Sequence, residues 1–179
     1  MSLYEYERDG DADALIRILE DSDNAEVRRR AAEALGELGD HGDRHDIVDA
    51  LVGAAETDEK AVASAAIDAL DQLGRDAIEA LIASMADVDF DDASADWVRA
   101  KAFTQALSAD VPELRMAAAN ALGDVGDADS VPELVTRFED EDPRVRARSA
   151  RACGLIGDAR ATEPLTGLLT DPVAAVRRE

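Results

Sequence analysis

Four stretches of the 179-residue chain fall into one register when each is laid on its first valine or leucine. They are residues 27–40 (VRRRAAEALGELGD), 62–75 (VASAAIDALDQLGR), 114–127 (LRMAAANALGDVGD) and 145–158 (VRARSARACGLIGD). Self-similarity of this kind marks a stacked supersecondary unit, and it restricts the fold more than any single motif. A small residue follows each anchor by four (Ala31, Ala66, Ala118, Ser149), a larger one by eight (Leu35, Leu70, Leu122, Cys153), and Leu38, Leu73, Val125 or Ile156 by eleven. Offsets of four, eight and eleven lie on one face of an α-helix. Each copy then closes on a glycine (Gly39, Gly74, Gly126, Gly157), as helices do where the chain must turn through positive φ.

A second helix is expected after each glycine. Pro132 and Pro164 fall in its first turn, where a missing N–H is harmless, and Ile16, Leu51, Leu134 and Leu165 each lie 11 residues before the next anchor. The unit is therefore helix, glycine turn, helix, short acidic loop. The anchors Val27, Val62, Leu114, Val145 and Val176 are separated by 35, 52, 31 and 31 residues. The long interval holds an irregular insertion at 87–107, read as an acidic loop (Asp87, Asp89, Asp91, Asp92) and an apolar-periodic helix through Trp97, Val98, Phe103 and Leu107. With 36 alanines and only 3% aromatic residues, the core must be made of Ala, Leu, Val and Ile at close helix spacing.

On these residues the chain resembles the HEAT-like repeats first known from phycobilin lyase subunits. Asp142-Pro143-Arg144-Val145-Arg146 with Leu155-Ile156-Gly157-Asp158 carries the resemblance most fully, and it extends over nearly the whole chain from Asp11. It implies an all-α fold, a right-handed α-solenoid of antiparallel helix pairs forming one domain over 4–179 with about five repeats. Met1-Ser2-Leu3 reads as a cloning leader, and Val176-Arg177-Arg178 begins another repeat, so a piece of a longer array is expected.

The 41 acidic and 19 basic residues leave a net charge of −22; Asp outnumbers Glu 26 to 15, and only Lys60 and Lys101 among the basic residues are lysines. Nucleic acid would be repelled. The composition resembles that of proteins from salt-accumulating halophiles, in which molar salt shortens the Debye length to about 3 Å and screens the self-repulsion. No 18-residue apolar stretch and no secretory leader is present, so no membrane association and a cytoplasmic location are expected. Cys153 stands alone in an apolar run, the pattern of a buried packing residue.

Arg28, Arg115, Arg146 and Arg177 recur one residue after the anchors, with acids just upstream. Because they repeat with the fold, pairing to loop carboxylates or helix ends of their own and the neighbouring repeat is expected, in preference to a grip on an anionic ligand. The densest basic clusters are Arg28-Arg29-Arg30 and Arg144, Arg146, Arg148 and Arg151. Of these, Arg144, Arg148 and Arg151 share a helical face that a partner's acidic patch would fit. Trp97 and Phe90 lie in the insertion, where loops often carry binding specificity. The helical spacing of Trp97 with Val98 and Phe103 nevertheless favours a core position for it.

His41 and His45 are flanked by Asp40, Asp43 and Asp46, the residue types of a metal cluster, yet they sit in a glycine turn where such residues cap. Deoxyhypusine hydroxylase, a HEAT-like di-iron enzyme, holds its metal through His-Glu pairs, and no His-Glu dipeptide occurs here. No phosphate-binding loop, nucleophile elbow or separated nucleophile–histidine system appears. The reading is a protein-interaction scaffold or adaptor without catalytic residues or cofactor. The alternatives are a non-catalytic or lyase-like subunit of an enzyme complex, and a metal-binding protein through His41 and His45.

Overall fold

A computed structural model describes residues 3–39, 44–87, 90 and 96–179. The described residues form eleven α-helices and no strand, so the chain is all-α as expected. Two compact units divide it, Met1–Asp89 and Phe90–Glu179. The first holds α1 (Leu3–Asp9), α2 (Ala12–Asp21), α3 (Ala25–Leu38), α4 (Arg44–Thr57), α5 (Lys60–Leu73) and α6 (Arg75–Ala86). The second holds α7 (Asp96–Ala106), α8 (Pro112–Val125), α9 (Val131–Thr136), α10 (Pro143–Ile156) and α11 (Thr162–Leu168).

The four aligned segments are α3, α5, α8 and α10. In the first unit α3 and α5 pack along each other, while α4 touches α2 and α6 in a second layer. In the second unit α8 and α10 pair in the same manner. The small residues four after the anchors, Ala31, Ala66, Ala118 and Ser149, are fully buried at 0% exposure and let the helices come close. Leu35, Leu70 and Leu122 fill the space between layers with Ile47, Leu51, Leu81 and Leu134, each stabilising the core by about 1.5–3 kcal/mol on burial.

Helix ends follow local chemistry. Asn24 caps α3 by accepting from the Glu26 and Val27 amides at 2.9 and 3.4 Å, and Asp142 caps α10 by accepting from the Arg144 amide at 2.8 Å. Gly39, Gly74, Gly126 and Gly157 all have positive φ and follow α3, α5, α8 and α10 directly, where the repeat places them.

A further glycine acts within the helices. An added Cβ at Gly36 would lie 2.8 Å from both Cα and Cβ of Ala69 on α5, and one at Gly123 would lie 3.0 Å from Cα of Ala152 on α10. Nine residues after the anchor of one helix therefore meets seven residues after the anchor of the next. At Gly36 only a residue without a side chain permits that approach, and at Gly123 a side chain would fit tightly.

Two details differ from the sequence reading. On α2 the residue deepest in the core is Leu15, at 0% exposure, while Ile16 is half-buried. In the second unit the return helices are short and flanked by 3₁₀ turns: Ala128–Ser130 and Arg137–Glu139 around α9, and Ala159–Ala161 before α11. Asp127 and Asp158 sit at the head of the first of these turns in each hairpin. Their carboxylates accept from the amides two residues on at 3.2 and 2.8 Å, closing a tight first turn.

Candidate protein-interaction surface

The recurring arginines are architectural. Arg28 donates through Nε and Nη2 to both carboxylate oxygens of Asp58, at 2.7 and 2.6 Å, and through Nη1 to the Ser22 carbonyl at 2.6 Å. Arg115 repeats this with Asp140 at 2.9 Å twice and the Ala109 carbonyl at 2.9 Å; Arg146 repeats it with Asp171 at 2.8 and 3.2 Å and the Asp140 carbonyl at 2.8 Å. Each guanidinium thus ties the loop before its own helix to the acidic loop of the next repeat. Arg177 donates to the Asp171 carbonyl at 2.8 Å, so Asp140 and Asp171 each serve two successive arginines, one through the side chain and one through the backbone. The bidentate bonds hold the Asp58 and Asp171 carboxyls below the usual carboxylate range. Arg115 and Asp140 retain only 7% and 4% of their side-chain exposure, which leaves no room for a ligand between them.

The Arg28-Arg29-Arg30 cluster is neutralised locally. Arg29 lies between Glu26 and Glu33, and Arg30 reaches Glu7 at 3.4 Å. On α10 the balance differs. Arg144 donates to Glu113 at 2.9 Å and to Asp142 at 2.8 Å, and that contact lowers the Asp142 carboxyl. Arg148 and Arg151 are exposed and have neither a hydrogen bond nor an ion pair among the described residues. Leu155, the next residue along that face, is 57% exposed.

The insertion is partly described. Asp89, Asp91 and Asp92 lie outside the described residues. Phe90 is half-buried, its ring meeting that of Phe103 edge-on at 6.2 Å and 71°, with the Arg99 guanidinium 5.9 Å from its centre. Phe103 is buried at 0% exposure. Trp97 is not a core residue as its spacing suggested: α7 turns it outward, and 67% of it is exposed. Helical spacing with Phe103 is only approximate for a residue six positions away, and Phe103 and Ala100 fill the inner face instead.

His41 lies outside the described residues. His45, on the first turn of α4, is exposed with Nε2 3.5 Å from Asp49. Among the described residues no group of three or more His, Cys, Asp or Glu side chains is gathered for a metal ion. Cys153 is 1% exposed, and burial pushes its thiol up to about 11. Among those same residues no helix is long and apolar enough to cross a membrane.

Paired helices in register, glycine-closed and tied by arginine–aspartate contacts across successive loops, define an α-hairpin repeat protein. The family model for HEAT repeats matches residues 12–102 and 100–179, and the chain belongs to that family. It is 42% identical over 141 residues to a HEAT repeat-containing taxis protein of Halobacterium salinarum, covering 79% of this chain and 34% of that protein. The chain thus spans about a third of that relative's length. The relative comes from a halophile, the setting that the acidic, lysine-poor composition led us to expect. Two engineered proteins share the fold. One has a TM-score of 0.54 at 24% identity over 94% of this chain and 76% of its own; the other has 0.54 at 23% over 92% and 75%.

Proposed function

We propose that the chain is a protein-interaction scaffold or adaptor, without catalytic activity of its own, that works in a taxis signalling assembly. The taxis context comes from the Halobacterium relative. The observation that carries the binding role is Trp97. In a chain with 3% aromatic residues, its one tryptophan is 67% exposed on the outer face of α7. Tryptophan is enriched among the residues that anchor protein interfaces. The acidic remainder of the surface keeps the molecule dispersed in salt and discourages unspecific contacts.

The test is affinity capture from haloarchaeal cells in about 2 M KCl, followed by calorimetric titration of the purified captured protein. A saturable complex that Trp97→Ala weakens by at least about tenfold supports the reading. Absence of any stoichiometric partner, or equal affinity of the variant, contradicts it.

A further inference from the structure

We infer that the outer face of α10 is a docking stripe for an acidic helical segment of a partner protein; this deepens the scaffold reading and rests on it. The argument is a comparison in register. One residue before the anchor, and three, six and ten after it, α10 carries Arg144, Arg148, Arg151 and Leu155, all four exposed. At the same twelve positions of α3, α5 and α8 stand six acids and a single arginine, Arg30, which reaches Glu7. The fold therefore does not require arginine there. On α10 alone the stripe is reversed in sign, in a chain of net charge −22.

The side chains differ in what they already hold. The arginines that build the repeat are bound to carboxylates and carbonyls, whereas Arg148 and Arg151 have no such partner among the described residues. Arg144 is held between Asp142 and Glu113, which fixes the N-terminal edge of the stripe. Leu155 covers Gly123 with one methyl yet leaves more than half its surface in water. Residues three and four apart on a helix stand about 5–6 Å from each other, so carboxylates one turn apart on a partner helix would meet Arg148 and Arg151. Planar guanidinium groups take carboxylates bidentately, and an apolar side chain one turn further would cover Leu155. Direct contact of this kind survives where salt has shortened the Debye length to a few ångströms. A nucleic acid phosphate backbone would meet two free arginines and an acidic surround, which favours the carboxylate-bearing protein segment.

The probe is a blocked synthetic helix with glutamates one turn apart followed by leucine, titrated into ¹⁵N-labelled protein in about 0.5 M KCl and compared with its glutamine counterpart. Saturable amide shifts confined to residues 144–155, absent with the glutamine peptide, are expected. The R148E/R151E variant should lose at least about tenfold in affinity. K60E/K101E, which makes the same change in net charge at the two exposed lysines, should bind as the parent does. Melting curves of both variants should match the parent, since none of the four side chains is bonded among the described residues. No saturable shift up to about 1 mM peptide, shifts located elsewhere, or equal losses in both variants would overturn the stripe. Self-association abolished by R148E/R151E would assign it to a second copy and likewise overturn the inference. A partner that R148E/R151E still binds at full affinity removes the stripe but leaves the scaffold reading standing; no partner at all removes the scaffold.

Discussion

Replacing each of three register-equivalent glycines with alanine should change stability in graded and even opposite directions. Gly36, Gly123 and Gly154 all stand nine residues after an anchor inside a helix. In a helix interior Gly→Ala stabilises by about 1 kcal/mol through backbone entropy. At Gly154 nothing lies within 4 Å of the new Cβ, so that gain should appear nearly in full. At Gly36 the Cβ would sit 2.8 Å from Cα and Cβ of Ala69, well inside a carbon–carbon contact of about 3.5–4.0 Å, and backbone cannot rotate aside. Overpacking of that kind costs about 1–3 kcal/mol, which outweighs the entropic gain and leaves a net loss of about 1 kcal/mol. Gly123 falls between, because part of its conflict is with the flexible Leu155 side chain at 3.2 Å. For units of this size 1 kcal/mol corresponds to about 4–8 °C in melting temperature. Circular dichroism melts in about 2 M KCl should therefore rank Gly154→Ala above the parent and Gly36→Ala below it. Equal stabilisation by all three substitutions would refute the close glycine–alanine packing of α3 on α5 and α8 on α10.

Ser149 occupies the position filled by Ala31, Ala66 and Ala118, is 0% exposed, and its hydroxyl oxygen has no hydrogen-bond partner among the described residues. Ser149→Ala should raise stability by about 1 kcal/mol, read from denaturant unfolding, since it removes an unsatisfied buried polar group. The Arg28 bond lowers the Asp58 carboxyl in the folded state, so its stabilisation is complete above the unfolded carboxylate value of about 3.9 and lost as pH falls through the folded value. Acid titration of unfolding should show this loss below about pH 4, and Asp58→Asn should flatten the curve. With a net charge of −22, thermal stability should rise from dilute buffer to molar KCl, and equal melting points across about 0.05–2 M KCl would contradict the halophilic reading.

What the sequence made legible was whatever follows the helical period: the inward face, the closing glycines and the family. The pairing of each arginine was legible as a type of contact only. With 41 acids available, choosing Asp58, Asp140 and Asp171 requires knowing which loops adjoin. Gly36, Gly123 and Gly154 were visible at one offset, yet a helical glycine does not announce the alanine it faces. Trp97 was misjudged because a residue six positions from Phe103 lies about 120° round the helix from it, so burial of one does not carry the other inward. The 3₁₀ turns beside α9 and α11 were not legible, because the apolar pattern does not separate a 3₁₀ from an α turn over three residues.

The proposed function implies one division: residues that recur with the repeat hold it together, while the exposed Trp97 outside the repeat register faces a partner. Calorimetric titration of the captured partner against Asp140→Asn and Trp97→Ala, at a temperature where both are folded, tests this most directly. Asp140→Asn weakens a buried contact to Arg115 and should cost up to about 3 kcal/mol of stability while partner affinity stays at the parent value. Trp97→Ala should melt with the parent yet bind at least about tenfold more weakly. If Asp140→Asn loses binding while keeping its melting temperature, or Trp97→Ala loses stability while keeping its affinity, the division is contradicted.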